Sequence, residues 1–232
     1  IVLSPPLRFR KVSRQEGKEM LALARDTSAA RFRELHGFSH GAPSPMYRVK
    51  AGRGVEFFLS GVPPAHRLPL RAYHAATIWK NGVPIGYFET LTLFERMEAG
   101  FNVYYTFRDG ESAWLYQQLL RVFHQYLGVR VISVDPYQLG HNNDEAIASG
   151  AFWFYRKLGF RPVEDDIAKL VLGEEKRIAS RTAYRSSQGT LRKLARGAMI
   201  YEFPGTVKGE WDRFQTRQAG MAVARVMDAE FG

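Results

Sequence analysis

Two residues in the middle of the chain, Asn81 and Gly82, constrain the fold more than any others. They follow Lys80 and separate two strand-like runs within LRAYHAATIWKNGVPIGYFETLTLF (70–94). An Asn-Gly pair suits the two-residue turn whose central residues both take positive φ, and that turn joins antiparallel strands. VEFFLSGV (55–62) before it and GFNVYYTF (100–107) after it are further strand-like runs. The middle of the chain therefore builds an antiparallel sheet.

Helical periods surround these strands. Ser13-Arg14-Gln15-Glu16 has the spacing of a capping box. Met20, Leu21, Leu23 and Ala24, then Phe32 and Leu35, keep a rough helical period to Gly37, and GFSHGAPSPMY (37–47) reads as a loop. Gly110 opens an amphipathic helix whose apolar face is Leu115, Leu119, Val122, Phe123, Tyr126 and Leu127, and Gly128 ends it. RVISVDPY (130–137) is a short strand. NNDEAIASGAFWFYRKLGF (142–160) reads as one helix stopped by Gly159, with Pro162 barring its early resumption. Helical patterns recur over 165–179, 190–197 and 208–230, with YEFPG (201–205) between the last two. The fold class is α/β: a mixed, mostly antiparallel sheet flanked by helices, followed by a helical C-terminal extension.

Composition narrows the function classes. No run of about 18 apolar residues exists, so no membrane span is expected. The first residue is Ile rather than Met, which leaves room for a trimmed leader. The chain has no cysteine, which excludes thiolate chemistry and disulfides and fits a reducing, cytoplasmic setting. No metal is expected, because the six His and the carboxylates show no ligand spacing such as H-E-x-x-H. The net charge of +10 lies mostly before Val163 and favours anionic partners: nucleic acid, an anionic surface or a phosphorylated small molecule.

Two stretches combine glycine with polarity or aromaticity near a helix. FRDGES (107–112) passes from strand to helix. A helix start offers unpaired N–H groups and a positive dipole end, which suit a phosphate, and Arg108 adds donors. AFWFYRKLGF (151–160) packs Phe152, Trp153, Phe154 and Tyr155 in succession. A helix turns about 100° per residue, so these four rings cannot share one face. Part of the run packs against the sheet, and Tyr155 has a polar tip for another use.

Together the two stretches resemble the GCN5-related N-acetyltransferase (GNAT) superfamily over roughly residues 10 to 165. FYRKLGF is similar to the family's F/L-Y-x-x-x-G-F helix, FRDGES to its Q/R-x-x-G-x-G/A pyrophosphate loop, and GVPIGYFETL (82–91) to its central hairpin strand. Phe107 stands at the family's Q/R position with Arg108 one residue later, Ser112 replaces the second Gly, and Ala148 replaces an Asn, while Ala151 matches. Asn142, Asn143 or Ser149 is available in place of the lost amide.

The resemblance implies a GNAT-like acyl-CoA-binding domain at 1–165, with 166–232 as the extension. It implies acetyl-CoA as acyl donor, held by Tyr105, Thr106, Phe107, Arg108, Asp109, Gly110, Glu111, Ser112 and Ala113 with Asn143 and Ser149. It implies direct attack of an amine on the thioester, with Tyr155 as the acid for the departing thiolate. Glu98 is the first choice as base, Glu89 the second, with His74 and His141 behind them. The acceptor pocket is expected among residues 37–70, its amine unidentified. Two other readings stand beside acyl transfer. One is an aminoacyl-tRNA-dependent transferase, which the basic charge favours; the other is a non-catalytic CoA-binding or protein-interaction module.

Overall fold

The computed structural model describes residues 5–68, 70–107, 110–214 and 216–232. The chain forms two compact units, residues 1–129 with 214–232, and residues 130–213.

The first unit begins with β1 (Phe9–Lys11), α1 (Arg14–Ala29) and α2 (His36–Ser39). Then come β2 (Met46–Gly52), β3 (Val55–Gly61), β4 (Ala72–Lys80), β5 (Val83–Leu93), β6 (Arg96–Val103) and α3 (Ser112–Leu127). The six strands form an antiparallel meander in chain order. Asn81 and Gly82 have φ of 50° and 80°, and Lys80 pairs with Val83 across them, so the turn is the one their side chains favour. Ser13 caps α1 by accepting from the Glu16 amide at 3.0 Å.

Three local readings change. The helix expected to run to Gly37 ends at Ala29: the Arg33 amide turns back to the Ser28 carbonyl, and Phe32 takes φ 54° with its side chain wholly exposed. The stretch 37–47, read as a loop, holds most of α2 and the start of β2. The strand read over 100–107 starts earlier, at Arg96, and Tyr105–Phe107 is a single 3₁₀ turn.

Residues directly opposed in a sheet share a face. On one face Phe88 packs at a tilt against Phe123 of α3 (centroids 5.1 Å apart) and edge-on to Tyr116 (6.0 Å), with Phe101 beside Tyr116 at 5.1 Å. Phe88, Tyr116 and Phe123 are completely buried, each contributing about 1.5–3 kcal/mol of apolar burial. The opposite face carries Val12, Leu21, Met46, Phe58 and Trp79 in one cluster, and Ala24, Phe38, Ala75, Tyr87 and Tyr104 in another, packed by α1 and α2.

The second unit contains β7 (Val131–Val134), α4 (Pro136–Leu139), α5 (Asp144–Ser149), α6 (Ala151–Lys157), β8 (Arg161–Pro162), α7 (Asp165–Ser180), α8 (Gln188–Leu194) and β9 (Met199–Glu202). β9 lies between β7 and β8, antiparallel to both. It is a strand in a third of the chain expected to be helical. Arg161 on β8 binds Glu202 on β9 through Nε and Nη2 at 2.9 and 2.7 Å, and Asp212 through Nη1 and Nη2 at 3.0 and 2.6 Å. The single helix expected over 142–157 is two, because Gly150 (φ 67°) ends α5 and begins α6 in the left-handed region.

The aromatic run then divides by face. Phe152 and Tyr155, one turn apart, are buried at 1% and 3% exposure, while Trp153 and Phe154 are half-buried. Trp153 Nε1 donates to Ser186 Oγ at 3.1 Å, and Ser186 donates onward to Glu174 Oε2 at 2.5 Å. Glu174 on α7 is 1% exposed and also accepts from Tyr184 (2.9 Å to each oxygen) and Arg177 (2.9 Å).

The chain closes with α9 (Thr216–Phe231), which belongs to the first unit and lies against β5. Among the described residues no helix is long and apolar enough to cross a membrane.

Candidate active site

In the first unit, the turn before α3 carries the residues expected to form a phosphate loop. Tyr105 is 84% exposed, Thr106 is exposed, and Phe107 packs against the cluster around Phe38 and Tyr104. Arg108 and Asp109 lie outside the described residues. Gly110 has φ +91°, and among the described residues a Cβ built on it meets no atom within 4 Å. Open space thus lies beside the start of α3, whose first intrahelical bond runs from the Leu115 amide to the Glu111 carbonyl. Glu111 occupies the N-cap position but does not cap: its carboxylate pairs with Lys80 and lies 3.8 Å from Arg53. The amides of Ser112 and Ala113 precede that bond and so have no helical acceptor.

The two candidate carboxylates share the α1/α2 face of the sheet. Tyr73, Leu91 and Glu98 stand in one cross-strand row, and Ala75, Glu89 and Gly100 in the next. Glu98 is half-buried on β6. Glu89 is half-buried on β5. Its Oε1 accepts from Tyr73 Oη at 2.5 Å and from the Gly37 amide at 3.4 Å. Burial raises the Glu89 pKa above the usual carboxylate value, although Tyr73, Gly37 and His36 each pull it down. Burial, and then the charge of Glu89, raise that of Tyr73, which stays a donor.

Helix α2 reaches this carboxylate only because residue 37 is glycine: a Cβ there would stand 2.4 Å from the Ala75 Cβ. His36 lies edge-on to Tyr73, with ring centroids 5.0 Å apart. Tyr73, Gly37 and His36 were absent from the residues selected by sequence. The signal was slight: a glycine between histidines in HGFSH, and a tyrosine whose partner is sixteen residues away across a hairpin.

His74 faces the opposite side, edge-on to Tyr126. Burial, helped by the charge of Arg67, lowers its pKa to about 4, and its Nδ1 has no hydrogen-bond partner among the described residues. A cavity of about 460 Å³ lies where β3 ends and β4 begins. Gly61, Val62, Arg67, Arg71, Tyr73 and His74 are among its walls. Tyr73 therefore lines the cavity and reaches Glu89 at once.

In the second unit, Tyr155 sits edge-on to Phe154 (5.1 Å) and Phe160 (5.6 Å), and burial raises its pKa well above that of a free phenol. Asn143 caps α5: its Oδ1 accepts from the Ala146 amide at 3.1 Å and its Nδ2 donates to the Tyr137 carbonyl at 3.1 Å. Ser149 bonds back to the Ala146 carbonyl at 3.1 Å, and His141 is exposed. Among the described residues no group of three or more His, Asp or Glu is placed to hold a metal ion.

No family model matches the sequence, and no curated protein matches it. Solved structures do. The chain is similar to the Campylobacter jejuni N-acetyltransferase PseH, at 11% identity over 85% of this chain and 99% of that one, with a TM-score of 0.38. It is similar to the Thermoplasma acidophilum PaiA N-acetyltransferase, solved with coenzyme A, at 11% identity over 86% and 100% (TM-score 0.37). It is also similar to a Staphylococcus aureus acetyltransferase of the GNAT family, at 9% identity over 84% and 98% (TM-score 0.37). The resemblance to the GCN5-related N-acetyltransferases rests on the two motifs, FRDGES (107–112) and AFWFYRKLGF (151–160).

Proposed function

We propose that the protein is an acyl-CoA-dependent N-acyltransferase. The observation that carries this reading is the start of α3. Among the described residues a positive-φ glycine leaves open space beside backbone amides that lack helical acceptors, and the Glu111 carboxylate is drawn off by Lys80. Such a helix end suits the pyrophosphate of coenzyme A through Gly110, Glu111, Ser112 and Ala113. The family resemblance extends the same loop over Tyr105 to Asp109.

In this reading an amine attacks the thioester carbonyl carbon, so that a C–N bond forms as the C–S bond breaks. Glu89 takes the proton the amine releases. Its burial makes it more basic than an exposed carboxylate, and Tyr73 fixes its orientation. Glu98, in the neighbouring row of the same face, is the second carboxylate. The departing thiolate is protonated by an acid, the role that the family resemblance gives to Tyr155 of the second unit. Burial keeps that phenol protonated at neutral pH.

The test is titration with acetyl-CoA alongside thiol release with an amine panel. Gly110→Val fills the open space and is expected to abolish CoA binding. A side chain at φ +91° also strains the turn, by about 1–2 kcal/mol, so Tm is measured in parallel. A folded Gly110→Val protein that binds acetyl-CoA like the parent refutes the loop assignment.

A further inference from the structure

We propose that His36, His40 and His66 form a proton-operated latch. It holds the loop 63–67 against α2 near neutral pH and releases that loop below about pH 6.

The three rings meet although they come from two segments. His40 and His66 stack with ring centroids 4.2 Å apart and planes inclined by 23°. His36 lies 4.9 Å from His40, and its Nε2 donates to the His66 carbonyl at 3.3 Å. That bond leaves Nδ1 of neutral His36 free to take a proton.

The two sides of the latch are held differently. Helix α2 is fixed: Phe38 is 2% exposed, and Gly37 sits too close to Ala75 for a Cβ to fit between them. The loop is not fixed in this way. Its turn, Pro64–His66, buries no side chain, and Arg67 Nε bonds back to the Val62 carbonyl at 3.2 Å. Leu68 pairs with Arg71 across the base. The hydrogen bond and the ring stack that join this turn to α2 both run through histidines.

Imidazole ordinarily gains its charge between about pH 8 and pH 5. Neutral rings stack, whereas two imidazolium rings at this separation repel. The groups around them offer no spare negative charge. Arg67 follows His66 in the chain, and Arg25 of α1 reaches the Phe38 carbonyl at 3.5 Å. Glu34 accepts from Ser39 at 3.2 Å, Glu89 of β5 feels the charge of His36, and Tyr73 of β4 meets the His36 ring. Two arginines and two carboxylates balance, so each proton the histidines take up adds positive charge. Arg67 and Leu68 line the cavity of about 460 Å³, and release of the loop therefore moves part of its wall. The latch requires no acyl transfer, so its failure leaves the proposed function standing.

The chain has no cysteine, so a single Ala65→Cys at the exposed turn takes one nitroxide label. Its EPR line shape is followed from about pH 8 to pH 5. Lys18→Cys on α1 is the control within the same unit. The ratio of mobile to immobile label at Ala65→Cys is expected to rise about 5-fold or more, the factor set by two unit charges about 4 Å apart in water. His40→Phe keeps a ring against His66 without the charge and is expected to lose most of that rise. His66→Gln is expected to leave the label mobile at pH 8 already, with little change on acidification. A label at 65 that ignores pH, a rise in His40→Phe equal to the parent's, or a label at 18 that loosens in parallel overturns the proposal. If His40→Phe does not fold, His66→Gln decides: a label as immobile at pH 8 as in the parent overturns it.

Discussion

Glu174→Ala is expected to destabilise the protein by about 3 kcal/mol, and the reasoning can be followed bond by bond. The Glu174 side chain is 1% exposed and accepts from Tyr184, Ser186 and Arg177. A hydrogen bond to a charged group is worth about 1.5–3 kcal/mol net, and breaking a buried charged network costs about 3–5 kcal/mol. Two corrections reduce the total. Arg177 is 63% exposed, so its ion pair with Glu174 contributes little. Tyr184 and Ser186 are only half-buried, so water replaces part of what they lose. What remains is chiefly the Tyr184 and Ser186 bonds, plus the volume of the deleted side chain. Tyr184→Phe alone should cost about 1–1.5 kcal/mol. The Glu174→Ala/Tyr184→Phe double variant should show a coupling energy of about 1 kcal/mol, because the second change finds its bond already gone. Urea unfolding of the four proteins measures all three quantities. A loss below about 1 kcal/mol in Glu174→Ala, or additivity in the double variant, would refute the view that this carboxylate ties α7 to the 184–186 segment.

The remaining predictions concern the site. Tyr155→Phe should slow acetyl transfer roughly 10²–10⁴-fold with CoA affinity nearly unchanged, whereas Phe152→Ala, at 1% exposure, should cost about 3–5 kcal/mol of stability in a melting or urea experiment. Glu89 must be ionised to act. Because burial raises its pKa, the rate should fall with decreasing pH already above the ordinary carboxylate range in a kcat/KM profile. Tyr73→Phe removes a bond that lowers that pKa, so it should move this limb to still higher pH, and Glu89→Gln should abolish it. His74, with its pKa lowered to about 4, resists protonation in the folded state. Its contribution to stability is full above about pH 6.5 and falls away as pH drops toward 4, by roughly 3 kcal/mol in all. Urea titrations at several pH values should show His74→Leu losing less stability than the parent across that window.

Local chemistry explains which parts of the molecule could be read in advance. The Asn81-Gly82 turn, the Ser13 cap and the apolar face of α3 are set by residues adjacent or one turn apart, and all three stand as expected. Phe32 and Leu35 fit a helical period by spacing alone, because the backbone reversal after Ala29 rests on carbonyl acceptors that periodicity does not register. Gly150 is tolerated inside a helix in principle, and only its positive φ splits the segment into α5 and α6. The Tyr73–Glu89 pair depends on the register between β4 and β5, and Glu174 reads from sequence as one more charged residue on a solvated helix. Burial of a charge is a property of the neighbours, and those come from distant segments.

The two-faced sheet of the first unit bears on how its chemistry can diverge. Phe88, Phe101, Tyr116 and Phe123 interlock on one face, where a lost methylene is felt as instability. Glu89, Glu98 and Tyr73 occupy the other, and Tyr73 also lines a cavity with Arg67 and Arg71. Alternate residues along the same strands therefore answer to different selective pressures. Arg67 is exposed and Arg71 half-buried, so substitutions there change the charge around the cavity without opening the aromatic packing.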